Sequence, residues 1–204
     1  QREFPRSNLV QRAALAAAQY HQSRQQYPRA AELYQRFITE NPKSELVGQA
    51  QASLAVLRQP EARIDAVRPE LLGGSVVLPI EHRNVSRLWA RARRMNQDRL
   101  LAEFKASWAP GQRNPGSNGY YPDNPSYYLI LQGDPKNYLR YSVGQPQDFE
   151  LTVEDDQSHR PKKSEPTIPL RDGGLWVIEL FADAEHKNQL GVGPLMLESS
   201  AVVL

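Results

Sequence analysis

Apolar side chains recur every three or four positions along residues 1–60, the spacing of one face of an α-helix. The segment is rich in Ala, Leu, Gln and Arg, which favour helices, and it predicts three of them. We expect Ser7 or Asn8 to cap the first helix, Pro28 to stand in the first turn of the second, and Ser44 to cap the third. The predicted buried stripes are Ala30, Ala31, Tyr34, Phe37 and Ile38, and then Leu46, Val47, Ala50, Leu54 and Leu57.

From residue 61 onward apolar and polar positions alternate, which is the period of a β-strand. Short runs separated by Gly, Pro, Asn and Asp predict about seven strands. Residues 96–108 have a helical pattern and predict a short insert between strands. We therefore expect an α+β chain organised by segment, with a helical module over residues 1–60. An antiparallel β-sandwich of immunoglobulin or fibronectin type III shape is expected over residues 61–204.

Residues 78–95 place five arginines around one tryptophan. As a strand, this segment would turn Leu88, Ala90 and Ala92 to the core and its long polar side chains to the other face. That face carries Arg87, Trp89, Arg91, Arg93 and Met95. It is either a solvated surface or a protein interface, and Trp89, Arg91 and Arg93 are candidate protein-contact residues because interfaces are rich in Arg and Trp. Acidic residues nearby argue against nucleic acid as the partner.

A long tyrosine-containing segment, residues 109–128, is also rich in Gly, Pro and Asn. Tyrosine among small polar residues is typical of adaptable recognition loops, so Tyr120 and Tyr121 are further candidate protein contacts. The alternative is that these two rings cover a sheet edge. Residues 158–166 predict a second loop, basic and flexible.

Composition excludes several kinds of chemistry. Of the 204 residues, 40% are hydrophobic and 24% charged, and the net charge of +2 gives no strong attraction to nucleic acid or lipid. The chain has no cysteine, which excludes a disulfide framework, a thiolate nucleophile and a cysteine zinc site. No apolar run reaches the ~20 residues of a membrane span, so we expect no direct membrane insertion. Because the chain opens on Gln1, we expect a processed or trimmed piece of a larger protein.

Enzyme motifs are missing from the sequence. The four histidines, His21, His82, His159 and His186, lie far apart, and none forms a metal-binding pair. There is no nucleophile elbow, phosphate-binding loop or dinucleotide fingerprint. We therefore expect no enzymatic activity, no metal and no cofactor.

The helical segment resembles a tetratricopeptide repeat. The similarity rests on the small residues Ala14, Ala17, Ala18 and Ala30, on Tyr34 and Phe37 between the helices, and on Pro42 at the end. About one repeat is covered, and a single repeat cannot bury its own faces. The segment is therefore either an interaction surface that leans on the rest of the chain or part of a longer array, and a plain three-helix cap is the alternative.

The second half resembles the first macroglobulin domain of bacterial alpha-macroglobulins. The similarity lies in the turn Arg83-Asn84-Val85, in the basic strand and short helix after it, and in the closing residues 167–204. The resemblance implies a non-catalytic framework and docking piece of a periplasmic or secreted protease-trapping protein, whose partners are proteases or cell-envelope proteins. The family's thioester needs a cysteine, so it cannot lie in this chain. The alternative is an independent cell-envelope adaptor with helical-repeat and immunoglobulin-like surfaces.

Overall fold

The structure is a computed structural model that describes residues 7–65, 70–71, 75–107 and 138–198. Three helices come first in this part of the chain: α1 (Asn8–Ser23), α2 (Tyr27–Glu40) and α3 (Val47–Arg58). The elements that follow are β1 (Glu61–Ile64), β2 (Glu70–Leu71), β3 (Val76–Val77), β4 (Ile80–Arg83), β5 (Arg87–Met95), α4 (Gln97–Ser107), β6 (Ser142–Thr152), β7 (Lys162–Ser164), β8 (Thr167–Ile168), β9 (Gly174–Phe181) and β10 (Gln189–Glu198).

The caps of the first and third helices differ in how well the sequence predicts them. Ser7 caps α1, because its Oγ accepts a hydrogen bond from the amide of Val10 at 3.3 Å. Ser44 does not cap α3, which begins only at Val47. The amide of Val47 donates to the Ser44 carbonyl, and this turn uses the Ser44 hydroxyl to accept from the amide of Leu46. The prediction for Ser44 was therefore wrong by two residues, because the N-cap of α3 is Leu46.

The three helices bury a core of their own. α2 contacts both α1 and α3, and the predicted stripes of α2 and α3 face this core, with Ile38, Leu46 and Val47 at its rim. Its buried members are Leu15, Ala18, Ala30, Ala31, Tyr34, Phe37, Ala50, Leu54 and Leu57. The helical prediction for residues 1–60 is thus confirmed over the part described, whereas a tetratricopeptide-like character stays a prediction.

The largest sheet has five strands in the order β2-β10-β9-β5-β6. The pairs β10–β9, β9–β5 and β5–β6 are antiparallel as predicted. The pair β2–β10 is parallel, which corrects the expectation of a purely antiparallel arrangement. Two smaller sheets have the orders β1-β4-β7 and β3-β8. β7 lies within residues 158–166, which were expected to form a flexible loop. The loop prediction failed because the partner strand that supplies the backbone hydrogen bonds of β7 is not visible in the local sequence.

Strand β1 lies close against strand β10 of the five-stranded sheet. A Cβ atom added to Gly191 of β10 would lie 2.6 Å from the carbonyl oxygen of Ala62 in β1, and one added to Gly193 would lie 3.0 Å from Cβ of Ile64. Glycine at both positions lets the β1 backbone approach β10. The architecture is a mixed α+β one with open, mainly antiparallel sheets, and its macroglobulin or fibronectin type III shape stays a prediction.

The chain forms two compact units. The helical unit comprises Gln1–Glu61, His82–Val85 and Glu154–Lys162. The sheet unit comprises Ala62–Glu81, Ser86–Val153 and Lys163–Leu204. The chain therefore enters the helical unit three times.

Candidate functional site

The interior strand β5 separates apolar from charged side chains as predicted. Leu88, Ala90 and Ala92 are completely buried on one side of the sheet. Arg91 and Arg93 lie on the opposite side with Trp89, and we call this side the outer face. The alternation of buried and less buried residues from Arg87 to Arg93 is thus what positions the candidate contact residues.

Arg91 lies in the middle of a charged row across three strands. Its register neighbours are Asp148 on β6 and Glu179 on β9. The Arg91 guanidinium donates from Nε to Oδ1 of Asp148 at 2.7 Å and from an Nη to Oδ2 at 2.8 Å. This two-bond arrangement lowers the pKa of the Asp148 carboxyl and raises the pKa of Arg91. Both oxygens of Asp148 are therefore engaged.

Glu179 is a buried carboxylate, and its side chain is only 4% exposed. Arg93 Nε donates to Glu179 Oε2 at 2.7 Å, and the Tyr138 hydroxyl donates to Oε1 at 2.7 Å. Burial, followed by the bond to Glu179, raises the pKa of Tyr138 well above its usual value. A buried charge is tolerated when it is paired and hydrogen-bonded in this way.

His186 covers one end of the charged row. A guanidinium has donors but no acceptor, so Arg91 donates to His186 Nδ1 across 3.1 Å and the ring proton belongs on Nε2. Nε2 lies 3.8 Å from Asp148 Oδ1 and makes no hydrogen bond within the described residues. The imidazole ring lies edge-on to the Phe181 ring, with 4.8 Å between the two ring centres. Asp183 holds the loop that carries His186, because its carboxylate accepts hydrogen bonds from the backbone amides of Lys187 and Asn188.

The two ends of the outer face are different. At one end α4 and residues 138–141 cover the sheet with a second apolar cluster, consisting of Met95, Leu100, Tyr138, Tyr141, Leu175 and Val177. At the other end the half-buried Trp89 is in register with Phe181 and Glu150. Glu150 also pairs with Arg87 at 3.0 Å. The Trp89 end is thus where apolar surface and charge occur together.

The structure brings Trp89, Arg91 and Arg93 onto one face, but their role in protein contact stays a prediction. Tyr120 and Tyr121 lie outside the described residues. Sequence reasoning missed Glu179, Asp148 and Tyr138 as partners of the arginines. A signal was present for Glu179, because a single charge inside the apolar run of β9 has to find a partner.

The turn Arg83-Asn84-Val85 holds the end of α3 within the helical unit. Asn84, with φ of 55°, donates from Nδ2 to the carbonyls of Leu57 at 2.7 Å and Gln59 at 2.9 Å. Its Oδ1 then accepts from Nδ1 of His159 at 2.6 Å. Carbonyls at a helix end lack partners inside the helix, and this turn supplies them. Burial lowers the pKa of His159.

A shallow groove of about 580 Å³ runs along α2. Much of its polar lining is already occupied, because Arg36 pairs with Glu40 at 2.7 Å and Arg58 donates to Gln35 at 3.2 Å. Among the described residues no His, Cys, Asp and Glu side chains converge as a metal site would require. In the same part of the chain, no helix is both long and apolar enough to cross a membrane.

Neither a protein-family model nor a curated protein matches the sequence. Among solved structures, the chain is similar to two fragments of native alpha-2-macroglobulin from Escherichia coli. The first spans domains MG0-NIE-MG1, with 16% identity and a TM-score of 0.35, over 68% of this chain and 39% of that one. The second spans domains NIE-MG1, with 16% identity and a TM-score of 0.37, over 69% of this chain and 61% of that one.

A CARDB domain from Pyrococcus furiosus, in complex with di-metal ions, is similar over 69% of this chain and 88% of that one, with 6% identity and a TM-score of 0.28. The chain spans less than two thirds of either alpha-2-macroglobulin fragment. With TM-scores below 0.4, these likenesses decide neither family nor function.

Proposed function

We propose that this chain is a non-catalytic framework and protein-docking piece. The observation that carries the proposal is the state of the outer-face carboxylates. Both oxygens of Asp148 and both oxygens of Glu179 accept hydrogen bonds from side chains of the same unit. A general base or a nucleophile needs a lone pair directed at a substrate, whereas every oxygen of these two carboxylates directs a lone pair at arginine or tyrosine. Such an arrangement fixes a sheet in place.

The docking part of the proposal rests on the Trp89 end of the outer face. A half-buried indole next to paired arginines resembles the centre of a protein interface, where Trp and Arg contribute most. The arginines are held by their carboxylates, so a partner would meet a preorganised surface and little rotamer freedom would be lost. Tyr120 and Tyr121 are proposed to contribute to the same kind of contact.

The larger protein is proposed to be a bacterial alpha-macroglobulin-like protease trap in the periplasm or outside the cell. Support comes from the sequence similarity around Arg83-Asn84-Val85 and residues 167–204, and from a helical module placed ahead of a sheet unit. Trapping chemistry would then belong to other domains. The alternative is a cell-envelope adaptor that consists of these two units.

One experiment separates these roles from catalysis. The purified chain is incubated with trypsin, elastase and subtilisin, and residual activity is measured on a protein substrate and on a small peptide substrate. We expect no inhibition and no intrinsic cleavage. Inhibition of protein cleavage by this chain alone would refute the proposal that trapping belongs to other domains. Cleavage of either substrate by the chain would refute the non-catalytic role.

A second measurement separates the trap from the adaptor. An antibody against the chain is used to determine the size of the native gene product. The trap predicts a polypeptide several times longer than 204 residues. A native product of about this length would favour the adaptor.

A further inference from the structure

Helix α1 has an apolar face that the helical unit leaves exposed. Leu15 and Ala18 are buried against α2. On the opposite side Leu9 is 77% exposed and Tyr20 is 57% exposed. Ala13, Ala16 and Ala17 are exposed between them. The positions 9, 13, 16, 17 and 20 fall on one side of a helix, so these five side chains form a continuous stripe that we call the α1 stripe.

The α1 stripe has the composition of a helix-packing surface. On the packed side of α1, alanines let α2 approach, and larger side chains such as Leu15 fill the space beside them. The α1 stripe repeats this arrangement, with three alanines in the middle and a large side chain at each end. Alanine leaves a shallow groove into which the side-chain ridge of another helix fits. Its shape therefore suits a second helix.

Helix α1 itself has no acidic side chain, although Arg12 at the edge of the stripe shares a groove with Glu40 and Glu45. Residues 8–31 contain no Asp or Glu. Arg12 lies along one edge of the stripe, and Arg24 ends it with its guanidinium 5.6 Å from the centre of the Tyr20 ring. Neither arginine forms an ion pair within the described chain. A partner with carboxylates at its edges would neutralise both.

We infer that the α1 stripe binds an amphipathic helix of a partner protein, whose apolar row is flanked by Asp or Glu. This inference rests on the proposed docking role and not on the alpha-macroglobulin similarity. A second copy of the chain fits less well, because two α1 helices face to face would bring Arg12 and Arg24 against cations. An anionic bilayer also fits less well, because exposed alanines contribute little apolar area for insertion.

The test uses the whole chain and a fluorescein-labelled synthetic helix with a Leu and Ala row and Glu flanks. Binding is followed by fluorescence anisotropy. We expect saturable binding that weakens as salt rises. The matched peptide with Lys in place of Glu should bind at least about tenfold more weakly, because like charges would face each other. Equal binding of the two peptides, or no binding of either, overturns the inference.

Two variants locate the site on the chain. Ala17→Glu places a carboxylate on the stripe and should weaken peptide binding by about tenfold or more. Ala52→Glu makes the same change on an exposed position of α3 and should leave binding within about twofold. Glutamate favours helices, so both variants should keep the parent circular dichroism spectrum. If Ala17→Glu binds like the parent chain, the stripe is not the site.

The same samples exclude the other occupants. Sedimentation velocity reports self-association, and co-sedimentation with phosphatidylglycerol vesicles reports lipid binding. Dimerisation that Ala17→Glu abolishes would assign the stripe to a second copy, and vesicle binding that it abolishes would assign the stripe to lipid. Either result overturns the inference and leaves the framework role intact. Protease inhibition by the chain would instead refute the framework role and leave the peptide result standing.

Discussion

The buried ion pair between Arg93 and Glu179 should be necessary for the stability of the sheet unit, and the two partners should not be equivalent. The perturbation is Arg93→Met, which keeps an unbranched apolar stem and removes the guanidinium and its charge. Glu179→Gln is the partner change, which keeps the shape of the side chain and also removes charge. The pair and its 2.7 Å bond lie on adjacent strands, β5 and β9, so the two changes should be energetically coupled.

The magnitudes follow from burial. Removing one partner of a buried pair costs about 3–5 kcal/mol when the remaining charge stays buried. Glu179 is 4% exposed and would keep only the Tyr138 bond, so we expect about 3 kcal/mol for Arg93→Met. Arg93 is 19% exposed and its long stem can carry the guanidinium toward water, so we expect about 1–2 kcal/mol for Glu179→Gln. The double variant should be more stable than Arg93→Met alone.

The assay is urea unfolding followed by tryptophan fluorescence. The sequence ranges of the helical unit contain no tryptophan, whereas Trp89 and Trp176 belong to the sheet unit, so the signal reports the sheet unit. Arg94→Met is the matched control on the same strand, because Arg94 is exposed, and it should stay within about 0.5 kcal/mol of the parent chain. If Arg93→Met costs no more than Arg94→Met, or if the double variant is the least stable of all, the reasoning about the buried carboxylate is wrong.

Three further outcomes follow from the structure. Asn84→Ala should lower the stability of the helical unit by about 2 kcal/mol, because two helix-end carbonyls lose their donor and alanine is strained at positive φ. Asn84→Gly removes the same hydrogen bonds without the backbone strain and so isolates their contribution. Thermal unfolding followed by circular dichroism measures both variants. Burial lowers the pKa of His159, so the unfolded chain takes up a proton at a higher pH than the folded chain. Stability should therefore be constant above about pH 7 and fall as the pH drops below about 6.5. The fall should be smaller in His159→Gln, and urea midpoints at two pH values will measure it. Gly191→Ala should cost about 1–3 kcal/mol because its Cβ would meet the Ala62 carbonyl, as urea unfolding followed by tryptophan fluorescence will show. Gly48→Ala, with open space in helix α3, should stabilise the helical unit by about 0.5–1 kcal/mol, measured by urea unfolding followed by circular dichroism. Equal effects would contradict the close approach.

Elements whose residues carry their own periodicity could be predicted from the sequence. The alternation of β5 placed Leu88, Ala90 and Ala92 in the core, and α4 falls within the expected helical insert at residues 96–108. The helical core followed from the three-to-four residue spacing of apolar side chains. In each case the pattern that predicts the element lies within about ten consecutive residues, because backbone geometry sets how often side chains return to the same face of a helix or strand.

Features that depend on distant segments could not be predicted. The parallel pairing of β2 with β10 joins residues more than a hundred positions apart, and no local pattern encodes it. The same holds for the carboxylate partners of Arg91 and Arg93, which come from β6 and β9. Ser44 was misplaced because a cap and a turn use the same residue types and the choice depends on where the helix docks.

The triple passage of the chain through the helical unit constrains how this protein can have evolved. A module joined to its neighbour by a single hinge can be gained, lost or exchanged by one recombination event. Here the end of α3 obtains its donors from Asn84, and the carbonyl of Gln25 is bonded by Arg160, so residues far along the polypeptide complete the first sixty. A genetic cut after Pro60 would deliver neither contact to the recipient. We expect the two units to have been inherited together.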